Sequence, residues 1–142
     1  LRGAEMITQT IKPNLAIVTD VCHDTTTPMI DKKKEGETKS GDGPVISYAP
    51  AVQNKLRELI VETAETKKIP FQRMASSRST GTDTDAFAYS NGGVPSALIS
   101  LALRYMHTTV EMVDKNDVEN VIKLIYETLT QIKGNESFSY FD

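Results

Sequence analysis

The sequence is poor in the residues that build the commonest disulfide and metal sites. Its 142 residues include one cysteine, two histidines and no tryptophan. One cysteine excludes an internal disulfide and any cysteine-rich zinc module, and it suits a reducing compartment, so we expect a cytoplasmic protein. Two histidines exclude a three-histidine metal site made from this chain alone. HExxH, P-loop, GxSxG and GxGxxG motifs are also lacking.

Long apolar runs and a strong charge of one sign are missing as well. No run approaches the about 18 apolar residues that a membrane-spanning helix needs, and no signal-peptide pattern opens the chain. The formal net charge is −3, from 16 basic and 19 acidic residues. We therefore expect no membrane and no nucleic acid as partner. The length fits one domain, and Leu1, which is not a methionine, indicates a processed, trimmed or partial chain.

What the sequence does contain is a series of short apolar runs that read as strands. Residues 15–19 form a continuous apolar run that ends at Asp20, which is typical of a strand covered on both faces. Residues 45–48 and 69–74 are further strand candidates. The run over 94–103 is the longest and predicts a central strand.

Helical patterns alternate with these strands. Apolar residues recur at helical spacing after Pro50, and a short helix is expected over 86–90. A last helix is predicted over 117–133, capped by an acidic or amide side chain at 114, 116 or 117 and ended by Gly134. We expect its buried stripe to comprise Val118, Val121, Ile122, Ile125, Leu129 and Ile132.

This alternation predicts an α/β layered domain with a central mixed, largely parallel sheet flanked by helices. Residues 31–43 contain no large apolar residue and three glycines, so they are expected to form an exposed loop. Residues 134–142 are expected to form a C-terminal tail.

Two polar side chains follow predicted strands, where ligands bind in open α/β sheets. Asp20 closes the first strand, and His107 follows the longest one. Each alone is more often a turn, cap or surface residue, but carboxylate and imidazole together are ligand types that zinc prefers. Zinc takes about four ligands, which this pair does not supply. Cys22 and His23 are neighbours in a strand and face opposite ways, so Cys22 is interpreted as a small buried hydrophobe.

Five segments in order carry a family resemblance. They are LRGA at 1–4, AIVTDV at 16–21, GTDTDA at 81–86, RYMH at 104–107 and EMV at 111–113. Together they resemble the C-terminal half of the catalytic domain of glutamyl aminopeptidase-type metallopeptidases. These tetrahedral-assembly enzymes, some of them called cellulase M-like, belong to the dinuclear zinc exopeptidases. The resemblance implies that residues 1–142 are the C-terminal part of such a catalytic domain, with a partial zinc exopeptidase-like fold.

The resemblance also implies a site. Asp20 would be a ligand of one of two divalent metal ions and His107 a ligand of the other, with zinc expected and cobalt or manganese as alternatives. In the family, the other ligands and the Glu-Glu pair that supplies the general base lie upstream of the LRGA segment. None of the residues of this chain is therefore expected to be the catalytic base, and the chain alone is expected to be inactive.

Two functions remain open at this point. The first is a co-catalytic metalloaminopeptidase that hydrolyses N-terminal residues from peptides, of which this chain is a part. The second is a non-catalytic interaction or structural module derived from that fold. For the first, the expected partners are a peptide substrate and either further copies of the chain or the missing half of the domain.

Overall fold

The computed structural model describes residues 1–141, in which helices and strands alternate. The elements in chain order are α1 Arg2–Ile11, β1 Ala16–His23, α2 Lys32–Glu35, β2 Val45–Tyr48, α3 Asn54–Thr66, β3 Gln72–Ala75, α4 Asp83–Ala88, β4 Ser96–Leu103 and α5 Lys115–Leu129. The predicted strands are all present, although β3 begins later than the predicted segment 69–74. The short helix α4 begins three residues before its predicted start.

The four strands form one mixed sheet in the order β1-β4-β2-β3. The β1–β4 and β2–β3 pairs are parallel, whereas β2 and β4 run antiparallel. The predicted central strand β4 lies between β1 and β2, and nearly all its side chains are buried. β1 and β3 are the edge strands. The predicted mixed, largely parallel sheet is confirmed.

Alternate residues of β4 divide the core between the two faces of the sheet. Ala97 and Ile99 pack with Leu56 and Ile60 of α3 and with Leu124 of α5. On the opposite face Leu98 packs with Val18 and Val52, and α4 lies against β1 and β4 with α1 packed on it. The domain therefore has helices on both faces of the sheet, because its central strand is apolar on both sides.

Helix α1 was not predicted. Its buried residues are the small Ala4 and Thr8, whereas the large apolar Met6, Ile7 and Ile11 are exposed. The Thr8 hydroxyl donates to the Ala4 carbonyl 2.7 Å away within the helix. Ala4, Ile7 and Ile11 recur at helical spacing, so the sequence does carry a pattern that favours this helix, although the large apolar residues in it face solvent.

Helix α5 corrects part of the prediction. Asp114 is the N-cap residue, and its side chain accepts a hydrogen bond from the Asn116 backbone N–H. Position 114 is one of the three positions at which a cap was expected. The helix ends at Leu129, earlier than the predicted residue 133. Its buried face carries Asp117, Val121, Leu124 and Thr128. Ile122 and Leu129, expected inside, are 63% and 50% exposed.

The segment 31–43 is exposed over most of its length, but its second half is held by hydrogen bonds to the rest of the domain. Thr38 is buried, and its hydroxyl donates to the His23 carbonyl 2.6 Å away. The backbone N–H groups of Gly41 and Gly43 donate to the Asp117 carboxylate at 2.7 and 2.8 Å. The predicted exposed loop thus also contains the short helix α2 and residues that are hydrogen-bonded to β1 and α5.

The tail from residue 134 to 141 lies over the amino-terminal ends of β1 and β4. Phe138 packs against the main core, and the Tyr140 hydroxyl donates to the Ala51 carbonyl at 3.1 Å. A cavity of about 820 Å³ lies between this tail and the segments 12–15 and 91–95. Its position is at the end of the sheet opposite to the candidate site described next.

Candidate metal site at the carboxyl edge of the sheet

The parallel pair β1–β4 brings the two predicted ligand segments to one edge of the sheet. In the register of this pair Asp20 lies opposite Ser100 and His23 opposite Leu103. Asp20 does not close the first strand as predicted, because residues 21–23 continue the pairing with β4. It lies within β1, three residues before the end of the strand.

Asp20 is half-buried and keeps its carboxylate close to the strand backbone. Its Oδ1 accepts a hydrogen bond of 2.8 Å from the Val21 backbone N–H. Within residues 1–141, Oδ2 has no hydrogen-bond donor. A carboxylate oxygen in this position can coordinate a divalent cation, so the side chain fits the ligand role expected of it.

His107 lies in the exposed loop that follows β4. Its backbone has φ of 66°, in the left-handed region, and its N–H donates to Glu111 Oε1 at 2.6 Å. Its ring lies 6.3 Å from the His23 ring, centroid to centroid, with 72° between the ring planes. In the described part of the chain the ring nitrogens of His107 make no hydrogen bonds. The imidazole is thus available as a ligand.

The structure brings His23 and His107 together, whereas Asp20 and His107 make no direct contact. Among residues 1–141, no group of three or more His, Cys, Asp and Glu side chains is arranged to hold a metal ion. The donor chemistry of Asp20 and His107, one carboxylate and one imidazole, fits divalent zinc, cobalt or manganese. These two side chains would hold a metal only together with further ligands.

Asp24 adds a buried negative charge just beyond β1. It accepts hydrogen bonds from the Thr26 N–H at 2.7 Å, from the Thr26 hydroxyl at 2.6 Å and from the Ser40 N–H at 3.1 Å. Burial raises the pKa of this carboxyl, but the hydrogen bonds from Thr26 and Ser40 and the charge of Arg104 outweigh burial, and the net pKa is lowered. Asp24 is therefore held ionised beside the loop that carries His107.

Cys22 is buried, as the sequence predicted, and packs with Val45 and Ala102. Burial, with smaller contributions from the charges of Asp24 and Asp20, raises the pKa of its thiol to about 12. A thiol with this pKa is almost fully protonated at neutral pH and is a poor nucleophile. Cys22 is therefore unsuited to act as a catalytic nucleophile for two reasons: its thiol is protonated, and neighbouring strand residues such as Cys22 and His23 face opposite ways.

A crevice of about 250 Å³ lies beside this edge, with His23, Thr82, Ser100 and Met106 in its lining. The loop before α4 borders it. Thr82 caps α4, and the Asp85 carboxylate accepts from the backbone N–H groups of Thr80 and Gly81 at 3.0 and 2.9 Å. Thr82 thus caps α4, and the Asp85 carboxylate, in the first turn of the helix, is turned to the backbone of the residues that precede it.

Sequence reasoning missed the pairing of His23 with His107 and the contact from Glu111 to the His107 backbone. The first depends on the register of the parallel strands β1 and β4, which the sequence does not show and which places a residue that follows β4 beside the end of β1. The contact from Glu111 depends on the left-handed turn at His107. Sequence patterns do not report such a turn for a non-glycine residue.

A model of the family described as M42 glutamyl aminopeptidase matches residues 1–124. A lysyl aminopeptidase of Pyrococcus furiosus is 37% identical over 133 residues, which make up 94% of this chain and 38% of that protein.

Solved structures give the same assignment. A TET aminopeptidase from a marine sediment archaeon of the Thaumarchaeota has a TM-score of 0.79 at 28% identity, over 95% of this chain and 37% of that one. The TET1 peptidase of Pyrococcus horikoshii can assemble into a tetrahedron or a large octahedral shell. Its TM-score is 0.67 at 26% identity, over 90% of this chain and 36% of that one. The chain thus spans less than two-fifths of the length of these relatives.

Proposed function

Because the chain belongs to the M42 glutamyl aminopeptidase family, we propose that it supplies part of the active site of an aminopeptidase that hydrolyses N-terminal residues from peptides. The observation that supports this most directly is the arrangement of β1 and β4. These parallel strands bring the Asp20 and His107 segments to one edge of the sheet, beside an open crevice. Both segments are among the five that carry the resemblance to this family.

In this proposal Asp20 binds one divalent metal ion and His107 binds a second. Two such ions, when bound, polarise the scissile carbonyl and lower the pKa of a water molecule. The contribution of this chain is to hold one carboxylate oxygen of Asp20 and one ring nitrogen of His107 at the carboxyl edge. We further propose that the general base and the other ligands come from residues outside this chain, and that the chain alone is inactive.

A non-catalytic role is the second candidate function. The observation that favours it is that no group of three or more ligating side chains occurs among residues 1–141. In that case the domain would keep the fold and its two-faced core as an interaction or structural module. The two candidates differ in what is encoded immediately before Leu1.

We also propose that the protein associates with itself or with the part of the domain that this chain lacks. Within residues 1–141, β1 pairs on one side only, and strand edges of this kind invite pairing with another chain. The outward faces of α1 and α5 carry exposed apolar side chains, among them Met6, Ile11, Ile122 and Leu129. One relative can assemble into shells.

In the described residues no helix is long and apolar enough to cross a membrane. We also propose a cytoplasmic location.

The test combines the gene with an activity assay. If the proposal is correct, the coding region before Leu1 encodes a Glu-Glu-Val-Gly stretch with an earlier histidine and aspartate. The protein encoded by the whole region should then hydrolyse aminoacyl p-nitroanilides in the presence of zinc or cobalt. Both Asp20→Ala and His107→Ala should abolish turnover. A start codon at this position would favour the non-catalytic module.

A matched control separates loss of a ligand from loss of charge or fold. Glu119→Ala removes one carboxylate from the exposed side of α5, where its partner is Lys115 at 3.5 Å. This variant should retain activity. Turnover by residues 1–142 alone, abolished by His107→Ala, would contradict the proposal that the chain is inactive by itself. A monodisperse monomer in light scattering at high concentration would contradict the proposed association.

A further inference from the structure

The loop that carries His107 is closed at its base like a small hairpin. Arg104 and Met112 form an isolated antiparallel bridge, each donating its backbone N–H to the carbonyl of the other at 3.0 Å. Residues 105–111 lie between them. The two ends of the loop are thus fixed to each other, while the position of His107 depends on bonds within the loop.

The backbone inside the loop is strained. Tyr105 and His107 both have positive φ, at 58° and 66°, although neither is a glycine. A left-handed conformation is unfavourable for an L-residue of this kind, and it persists only where other contacts impose it. Some interaction must therefore hold His107 in this conformation.

Packing does not provide that interaction. Residues 107–113 are all exposed, and the large apolar Val110 and Met112 are 63% and 55% accessible. The loop has three local hydrogen bonds at Thr108: its backbone N–H donates to the Tyr105 carbonyl at 3.2 Å, and its hydroxyl donates to the same carbonyl at 2.6 Å and accepts from the Val110 N–H at 3.2 Å. The two bonds to the Tyr105 carbonyl close a turn over residues 105–108, but none of the three engages the N–H or carbonyl group of His107.

The contact that does reach His107 comes from Glu111. Its Oε1 accepts the His107 backbone N–H at 2.6 Å, across four residues and within the closed loop. A carboxylate that accepts from an amide makes a short, charge-assisted bond, roughly twice as strong as a neutral one. This bond fixes the orientation of the His107 backbone. Because the side chain leaves from that backbone, the bond also fixes the direction in which the imidazole points.

We propose that Glu111 is a positioning residue for His107: its carboxylate holds the left-handed turn that presents the imidazole at the carboxyl edge of the sheet, next to His23. Glu111 acts through the backbone and does not itself touch metal or substrate. The metal-related part of this inference rests on the proposed function, whereas the structural part, that Glu111 holds His107, stands without it.

The structural part is tested by amide-proton exchange of His107, measured by NMR on the full 142-residue chain. In Glu111→Ala the acceptor is lost, so exchange at His107 should accelerate about tenfold or more. In Glu111→Gln the amide oxygen remains an acceptor, and exchange should stay close to the wild-type rate. Glu119→Ala, which removes the same charge from α5, should change nothing. Unchanged exchange in Glu111→Ala would overturn the proposal.

The functional part is tested on the protein encoded by the whole region, because Asp20 and His107 hold a metal only together with further ligands. That protein and its Glu111 variants are titrated with zinc chloride, and the imidazole resonances of His107 and His23 are followed separately. Loss of a residue that orients a ligand typically weakens metal binding about 10- to 100-fold. We expect that loss for His107 in Glu111→Ala, with most of the affinity restored in Glu111→Gln.

The outcomes separate this inference from the proposed function. Equal weakening in both Glu111 variants would mean that the carboxylate binds the metal itself, which contradicts a positioning role. Zinc affinity of Glu111→Ala equal to that of wild type would also overturn it. If zinc leaves His107 unperturbed in the wild-type protein encoded by the whole region, the ligand assignment of the proposed function fails, while the exchange experiment still decides whether Glu111 holds His107.

Discussion

Replacing Asp117 tests how the long segment before β2 is attached to the rest of the domain. Asp117 is fully buried in the first turn of α5. Its two carboxylate oxygens accept the N–H groups of Gly41 and Gly43, which are 76 and 74 residues away in the sequence. In Asp117→Asn one oxygen becomes an NH₂ group, which faces an N–H donor and cannot accept from it. One of the two bonds is therefore lost and a buried donor is left unpaired.

The magnitude follows from the type of bond. A hydrogen bond to a charged group contributes about 1.5–3 kcal/mol, so Asp117→Asn should lower the free energy of unfolding by about 2–3 kcal/mol. Asp117→Ala loses both bonds and should cost about 3–5 kcal/mol. For a domain of this size, 2–3 kcal/mol corresponds to a fall in Tm of about 5–12 °C.

The assay is urea unfolding followed by circular dichroism, with Asp114→Asn as the matched control. Asp114 is the N-cap of the same helix, and asparagine caps helices about as well as aspartate. Both variants remove one negative charge from the same turn, but only Asp117→Asn breaks a long-range bond. If the two variants unfold at the same urea concentration, the reasoning about Asp117 is refuted.

Three further predictions concern single sites. Gly43→Ala should lower the free energy of unfolding in urea by about 3 kcal/mol, because φ is 98° and a Cβ would clash with the Pro70 carbonyl oxygen. The control Gly36→Ala, where φ is 84° and no atom lies within 4 Å of the added Cβ, should cost clearly less. Cys22, whose pKa is raised to about 12, should react with a disulfide reagent at pH 8 about 10³-fold slower when folded than in denaturant; equal rates would contradict this. The lowered pKa of Asp24 stabilises the fold above the unfolded pKa of about 4, and this contribution is lost as pH falls through the folded pKa. The difference in unfolding free energy between wild type and Asp24→Asn should therefore shrink below pH 4, and a constant difference from pH 7 to 3 would be inconsistent with it.

The architecture could be predicted from the sequence where apolar pattern and burial coincide. β2 and β4 carry apolar residues on both faces, and both were predicted as strands. Asp114 was among the expected caps of α5. α1 was missed although Ala4, Ile7 and Ile11 recur at helical spacing, and its buried residues are the small Ala4 and Thr8. The stripe on α5 was misassigned at Ile122 and Leu129, since an apolar residue on a helix does not show which of two apolar faces is covered.

The candidate site shows a similar division. Asp20 and His107 could be singled out because each lies near a strand that ends at the edge where α/β domains bind ligands. Neither the proximity of His23 to His107 nor the bond from Glu111 could be predicted. The first depends on the register of two strands about 80 residues apart, and the second on a left-handed backbone at a histidine.

The position of the tail has a consequence for how this domain tolerates change. Residues 134–141 cover one end of the sheet and anchor there through Phe138 and Tyr140, while the opposite end, with the loop 105–111, is left uncovered. The contacts of this tail with the core and the exposed residues of the loop 105–111 are thus separated by the length of the strands. Sequence drift or loop grafting between Arg104 and Met112 should be absorbed locally, whereas a fusion or deletion after Gly134 would reach the core directly.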